Sequence, residues 1–119
     1  MKTKIFTYLT LVLMIIGGVG CSSSSNDMSG NNPGVPGANE VWMQNTAFNP
    51  ASKTITAGTT ITWTNKDASI HDVTSDTGVF TSPAMGQNAT FSFTFTTAGT
   101  YHYTCLHHAG IMKGTVIVH

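Results

Sequence analysis

Two short segments alternate strictly between apolar and polar residues, and this alternation limits the fold more than any other feature. They are TITWT at 60–64 and TFSFTFT at 90–96. A period of two is typical of half-buried antiparallel strands, because successive side chains of a strand point to opposite faces. Threonine, which suits the polar face of a strand, supplies 17 of the 80 residues from Glu40 to His119. Since no stretch keeps a helical spacing, the sequence predicts an all-β protein.

Further candidate strands, each bounded by turn-forming residues, lie at 41–48, 52–57, 70–75, 100–105 and 114–119. About seven short strands with frequent turns predict a Greek-key β-sandwich of about seven to eight strands in two packed sheets. The inward-facing aromatic and β-branched residues would form its core. The longer segment 76–87 contains two glycines and a proline, so we expect a loop that crosses between the sheets, with Met85 filling the core rather than binding a metal.

The first twenty residues have the order of a secretory signal. Two lysines lie within residues 1–4, an apolar run follows at 5–16, and small residues occupy 17–20. The apolar stretch from 5 to 20 is shorter than the roughly 20 residues that a membrane-spanning helix requires. We therefore expect residues 1–20 to be a signal peptide and the protein to be exported.

Cys21 and the four serines after it resemble the lipobox of bacterial lipoproteins, in which the cysteine becomes the acylated first residue. Gly20 fits that pattern, whereas Gly18 departs from the leucine-like residue that the pattern prefers. Ordinary signal cleavage nearby is the alternative. Residues 21–39 are mostly Ser, Asn, Gly and Pro, so they predict a flexible tether, and 40–119 form the folded domain. We expect a periplasmic or other extracytoplasmic protein held to a bacterial membrane through the lipid.

The charge balance excludes one class of partner. Five lysines oppose five acidic residues, the chain has no arginine, and charged residues make up only 8% of it. Binding to the phosphate backbone of a nucleic acid requires a basic surface, which this composition does not supply. Nucleic acid is therefore not expected as a partner.

Potential metal ligands gather around Cys105. Acylation of Cys21 would leave this thiol without a disulfide partner, so it needs burial or a metal in an oxidising compartment. Alternation along the preceding strand from Tyr101 directs the thiol inward. Three further donors follow it closely: His107, His108 and Met112.

His71 could join these donors from an upstream strand. Two histidines, one cysteine and a weak axial methionine are the ligands of a blue-copper site. A structural zinc site is the alternative that Cys and His allow.

The order of motifs across the domain strongly resembles the cupredoxins of the plastocyanin, amicyanin and pseudoazurin group. The motifs are FNP at 48–50, ITAGTTITWTN at 55–65, HDV at 71–73, GTY at 99–101 and the Cys-x-x-His…Met-x-Gly ending at 105–114. The resemblance implies the cupredoxin sandwich and one type 1 copper ion bound by His71, Cys105, His108 and Met112. It also implies one-electron transfer between Cu(I) and Cu(II), without enzymatic activity, and redox partners such as a cytochrome or a copper oxidase or reductase.

The ligand loop departs from the family pattern. The family often has a proline beside the second histidine, whereas Leu106, His107 and Ala109 occupy this loop. Three residues separate His108 from Met112. Chemistry alone leaves His107 and His108 as alternatives, and the family spacing favours His108. Thr104 replaces the aromatic residue that plastocyanins place before the cysteine.

Residues around the predicted ligands receive supporting roles. Asn65 and Asp72 are expected to form turn or supporting hydrogen bonds, and His102 and His119 to face solvent. A small apolar patch would surround the exposed edge of His108 for transient docking by partners; its candidate members are Pro83, Leu106, Ala109 and Ile111.

Two other functions remain open at this stage. Copper trafficking or storage would use the same ligands, although the mature chain lacks a methionine cluster. An enzyme would use Cys105 as a nucleophile with a neighbouring histidine as base. We expect a monomeric electron carrier.

Overall fold

A computed structural model describes residues 34–119. The predicted signal peptide, the lipidation site Cys21 and most of the predicted tether lie outside the described residues. Within these residues no helix has the length and apolar character needed to cross a bilayer. The strands are β1 Glu40–Met43, β2 Phe48–Asn49, β3 Ser52–Ile55, β4 Thr59–Asn65, β5 Thr74–Ser75, β6 Thr90–Phe95, β7 Gly99–Thr104 and β8 Lys113–Val118. A 3-10 helix, Leu106–His108, joins β7 to β8.

The eight strands form two four-stranded sheets, and the predicted all-β sandwich is confirmed. One sheet has the order β2-β1-β4-β6 and the other β3-β8-β7-β5. The two strictly alternating segments pair with each other, since β4 lies antiparallel to β6 with Trp63 opposite Phe91, and their predicted antiparallel character is confirmed. The expectation of antiparallel strands is incomplete, because β1 runs parallel to β4 and β3 runs parallel to β8.

The predicted strand 41–48 is two strands rather than one. Gln44 and Ala47 exchange backbone hydrogen bonds of 2.9 and 3.2 Å, which close a hairpin turn. Asn45 and Thr46 between them both have a φ of 57°, a left-handed conformation that ends the extended chain. The carboxylate of Asp67 accepts the N–H groups of both turn residues, at 2.8 and 3.0 Å. A distant side chain therefore stabilises a turn that local alternation does not reveal.

The predicted strand 70–75 is also shorter than expected. Only Thr74–Ser75 belongs to a strand, whereas His71 forms an isolated antiparallel bridge with Met85. The two residues exchange backbone hydrogen bonds of 3.1 and 2.8 Å. The segment 76–87 therefore returns to pair with the chain around His71, and Met85 lies buried in the core, as predicted.

Aromatic residues from both sheets build the core around Trp63. Its indole packs within 5.5 to 5.8 Å, between ring centroids, of Tyr103 on β7, Phe80 in the crossing loop and Phe91 on β6. Cys105 and Met112 belong to the same buried cluster, where β7 ends and β8 begins. The sandwich therefore supplies a closely packed apolar wall beside the loop between these strands.

Candidate metal centre

Three soft or borderline donor atoms converge where β7 ends. Cys105 Sγ lies 3.8 Å from Nδ1 of His71 and 3.7 Å from Nδ1 of His108. These three atoms lie within 4.8 Å of one another, and the two imidazole rings have their centroids 4.9 Å apart. The structure therefore brings together the cysteine and both histidines that the sequence predicts as ligands.

The strand and the loop after it position Cys105 and His108. Alternation along β7 buries Tyr103 and Cys105, as predicted. The loop then closes through three backbone hydrogen bonds: His108 N donates to Cys105 O, Met112 N to His108 O, and Cys105 N to Met112 O, at 3.1, 3.0 and 3.0 Å. These bonds join three predicted ligands in one ring, so the loop holds them in fixed relative positions.

Met112 is fully buried in the core cluster that contains Cys105. Burial of an unbranched thioether beside a thiol is compatible with the predicted role as a weak fourth ligand. The backbone bonds to Cys105 and His108 tie this residue to the loop, although β8 begins immediately after it.

Asp67 orients His71 from the other side of the imidazole. Nε2 of His71 lies 2.9 Å from Oδ2 of Asp67, and the ring is completely buried. Burial tends to raise the pKa of Asp67, but hydrogen bonds from Thr46, His71 and Asn45 outweigh it, so the pKa lies below its ordinary value. An ionised Asp67 keeps the proton of the neutral ring on Nε2 and leaves the Nδ1 lone pair facing Cys105.

Asp67 is not among the site residues predicted from the sequence. The signal that could have found its role is a carboxylate four residues before a candidate histidine ligand.

Asn65 supports the same segment. Its amide donates to the carbonyl oxygens of Ser69 and Met85, both at 2.8 Å, and its oxygen accepts the N–H of Asp67 at 2.8 Å. The side chain is fully buried, so these bonds also satisfy its polar atoms. The prediction of a supporting hydrogen-bond role for Asn65 is confirmed.

Asp72 fastens the ligand loop to the segment that carries His71. Its Oδ1 accepts the N–H groups of Leu106 at 2.8 Å and His107 at 3.3 Å, and Oδ2 accepts the hydroxyl of Thr74 at 2.7 Å. Burial tends to raise the pKa of Asp72, but hydrogen bonds, with that of Thr74 the largest, hold it below its ordinary value. The predicted hydrogen-bond role of Asp72 is confirmed. Because its pKa is low, this carboxylate also places a negative charge beside the candidate metal centre.

The thiol of Cys105 donates a long hydrogen bond to Oδ1 of Asp72, at 3.5 Å. Burial raises the pKa of this thiol; backbone N–H groups of Asp72 and His107 act in the opposite direction, and the Asp72 charge adds to the increase. Without a cation the sulfur therefore keeps its proton, and a metal ion would have to displace it.

The remaining histidines occupy different environments. His107 is not part of the convergent trio: its side chain is 46% exposed and its Nδ1 lies 2.9 Å from Oδ1 of Asp72. His102 and His119 are exposed, as predicted. His108 is partly exposed, and the neighbouring Leu106 and Ile111 are 63% and 73% exposed, which is unusual for large apolar side chains.

The spacing of the trio fits a metal ion. With metal–sulfur and metal–nitrogen bonds of about 2.3 and 2.0 Å, a trigonal angle of about 120° separates the two donors by about 3.7 Å. The observed separations of 3.8 and 3.7 Å match this value. A trigonal group of two histidines and one cysteine is the arrangement that copper takes in blue-copper sites.

Comparison with known proteins identifies the family of this chain. The family described as the cupredoxin-like domain matches residues 11–118. The chain belongs to the cupredoxins. Amicyanin-alpha of Methylorubrum extorquens is 38% identical to this cupredoxin over 87 residues, which are 69% of this chain and 72% of the relative. Plastocyanin of Scenedesmus fuscus is 40% identical over 83 residues, or 60% of this chain and 85% of the relative.

A solved structure provides the same comparison in three dimensions. The Cu(I) form of an amicyanin variant superposes on this cupredoxin with a TM-score of 0.63 and 33% identity, covering 67% of this chain and 80% of the amicyanin. The predicted resemblance is therefore confirmed. The predicted cofactor, one copper ion, is confirmed at the level of the family, and the donors of this chain fit that ion.

Proposed function

We propose that this cupredoxin is a one-electron carrier with a single type 1 copper ion bound by His71, Cys105, His108 and Met112. The observation that carries the proposal is the convergence of Cys105 Sγ with Nδ1 of His71 and Nδ1 of His108 at 3.8 and 3.7 Å. The bound ion supplies a redox couple between Cu(I) and Cu(II). The residues around it keep the donors in place during the exchange.

Hydrogen bonds hold the donor residues in place, and this supports fast electron transfer. His71 is fully buried and hydrogen-bonded to Asp67, and the loop from Cys105 to Met112 is closed by its own backbone bonds. When the donor atoms keep their positions in both oxidation states, the reorganisation energy is small, and so is the barrier to electron transfer. Met112, buried beside this loop, is proposed as the weak axial ligand that tunes the potential.

The surface around His108 suits brief contact with a redox partner. Leu106 and Ile111 expose apolar side chains on the loop that carries His108, and Ala109 between them is exposed as well. Complexes of electron carriers use small interfaces and dissociate quickly. A cytochrome or a copper oxidase or reductase is the proposed kind of partner, with this cupredoxin acting as a monomer.

We also propose that the protein is exported and anchored through an acylated Cys21, with the segment up to residue 39 as its tether. The signal-like order of residues 1–20 supports this location. Mass spectrometry of the mature N-terminus tests it directly: a diacylated or triacylated Cys21 is expected. An unmodified cysteine, or cleavage after Cys21, would contradict the anchor but not the copper site.

Addition of Cu(II) to the soluble domain tests the redox function. Wild-type protein should develop strong thiolate-to-copper absorption and show reversible one-electron voltammetry, and Cys105→Ser should abolish the absorption. His102→Ala is the matched control, because His102 lies on the outer side of β7 and is expected to leave both signals unchanged. A protein that stays colourless but binds Cu(I) tightly would contradict the electron carrier and support copper trafficking. A protein that binds neither Cu(I) nor Cu(II) would exclude both functions.

A further inference from the structure

A second group of donor atoms shares the sulfur of Cys105. Oδ1 of Asp72 lies 3.5 Å from Cys105 Sγ and 2.9 Å from Nδ1 of His107, and the three atoms lie within 4.8 Å of one another. The proposed copper site uses neither Asp72 nor His107 as a ligand. The two groups therefore flank the same sulfur with different partners.

The spacing of this second group also suits a metal ion. With metal–oxygen, metal–nitrogen and metal–sulfur bonds of about 2.1, 2.0 and 2.3 Å, two donor atoms can bind one ion only when they are no more than about 4 Å apart. The observed separations are 2.9 and 3.5 Å. Imidazole, thiolate and carboxylate together are donors that bind copper or zinc.

Exposure of the histidines distinguishes the two groups, since Cys105 is shared and Asp72 is buried. His71 is completely buried and His108 is partly exposed, whereas the His107 side chain is 46% exposed. His107 is the most accessible nitrogen donor next to the buried sulfur. An ion arriving from solution can therefore bind His107 before it reaches the buried imidazole of His71.

We propose that His107, Asp72 and Cys105 form a capture site that first binds copper from solution and then delivers it to His71 and His108. This inference rests on the proposed function, because it assumes that copper ends between those two histidines.

The transfer needs no change of oxidation state. On capture, the Cys105 thiol loses its proton to solvent and the His107 proton moves from Nδ1 to Nε2, which frees Nδ1 to bind the ion. On delivery, Cys105 would remain a donor, and His71 and His108 would replace His107 and Asp72 as the other donors to the ion. His107 then returns its proton to Nδ1 and restores the hydrogen bond to Asp72.

The alternative is that the His107 ring only helps to fix the loop. Asp72 already fixes that loop through the backbone N–H groups of Leu106 and His107, which no side-chain substitution at 107 removes. His107→Gln separates the two roles, because its amide can still donate to Asp72 but lacks the imidazole that binds copper well.

Stopped-flow mixing of the metal-free protein with excess Cu(II) provides the test. We expect His107→Gln and His107→Ala to slow the rise of the final thiolate-to-copper absorption by about tenfold or more, and His102→Ala to keep the wild-type rate. Each absorbance time course is divided by its final amplitude before the rate is fitted. A fraction of unfolded protein then lowers the amplitude but does not change the fitted rate. A wild-type rate in His107→Gln would overturn the capture site, and no absorption in wild type would instead overturn the proposed function.

Co²⁺ binding tests the capture group without relying on that function. In His108→Ala the group of Asp72, Cys105 and His107 remains complete, so Co²⁺ should give thiolate charge-transfer absorption. Adding His107→Gln should weaken this binding about tenfold or more, with tryptophan fluorescence used to verify that both variants are folded. Equal Co²⁺ affinities in the two variants would contradict the proposal.

Discussion

Oδ2 of Asp67 lies 2.9 Å from Nε2 of His71, while Nδ1 of the same ring faces the Cys105 sulfur at 3.8 Å. The same carboxylate accepts the N–H groups of Asn45 and Thr46 in the turn between β1 and β2. One side chain therefore fixes both a hairpin and the orientation of a proposed ligand. Metal-binding histidines commonly depend on such a partner for the choice of tautomer.

Replacing Asp67 by asparagine should weaken copper binding. The single oxygen of the amide cannot accept the three N–H groups that the carboxylate accepts, so the orientation of His71 is less fixed. We expect the affinity for copper to fall about 10- to 100-fold, measured by competition with a chelator. Asp76→Asn, on an exposed aspartate that accepts the Thr104 hydroxyl, is the control; equal effects of the two substitutions would mean that Asp67 does not act through His71.

Local patterning predicted most of the sheet structure because it reports the two faces of each strand. The alternation at 60–64 and 90–96 placed Trp63 and the phenylalanines inside, and the structure agrees. Parallel pairing of β1 with β4 was not predictable, since it depends on residues about twenty positions apart. The hairpin at Asn45 and Thr46 was missed for the same reason, because Asp67 supports it from a distant segment.

The part of the site whose residues lie close together in the sequence was predicted. The donors of 105–112 lie on one loop, and their spacing resembles that of a known family. The approach of His71 was predicted through the resemblance, whereas its bridge to Met85 and its bond to Asp67 follow only from the folded chain. The second group around His107 was also missed, because the contact with Asp72 joins residues 35 positions apart.

Met112→Leu should raise the reduction potential and keep the thiolate absorption. The thioether donates electron density that favours Cu(II), and leucine fills the same buried space without it. We expect an increase of at least about 60 mV, which corresponds to a tenfold change in the ratio of the affinities for the two oxidation states. Voltammetry of the copper-loaded protein measures it, and an unchanged potential would show that Met112 is not the axial ligand.

Tyr103→Phe should protect the fold against alkali. Burial raises the pKa of Tyr103 to about 12 from 10.0. The unfolded chain therefore loses this proton near pH 10 and the folded chain only near pH 12. Below pH 10 the ionisation of Tyr103 does not reduce the free energy of unfolding, and between these values it reduces it progressively. The loss amounts to about 2–3 kcal/mol.

The difference between wild type and Tyr103→Phe isolates this group. Among the described residues, the Tyr103 hydroxyl is buried without a hydrogen-bond partner, so its removal should leave the free energy of unfolding at pH 7 unchanged or about 1 kcal/mol higher. Urea unfolding of the metal-free protein from pH 7 to 12 measures both effects. Parallel curves for the two proteins across this range would contradict the prediction.

Gly114→Ala should destabilise the junction between β7 and β8. Gly114 lies directly opposite Tyr103, and an added Cβ would overlap the ring carbons and hydroxyl of that tyrosine. The ring cannot move aside easily, because Phe48 packs against it edge to face with centroids 4.7 Å apart. We expect the free energy of unfolding, measured in urea on the metal-free protein, to fall by about 1–3 kcal/mol.

Gly86→Ala, where the Cβ meets no atom within 4 Å, is the control and should change the free energy of unfolding by less than about 0.5 kcal/mol. In a Tyr103→Leu background the cost of Gly114→Ala should shrink, since the smaller side chain leaves room; an undiminished cost there would place its origin in the backbone rather than in the ring.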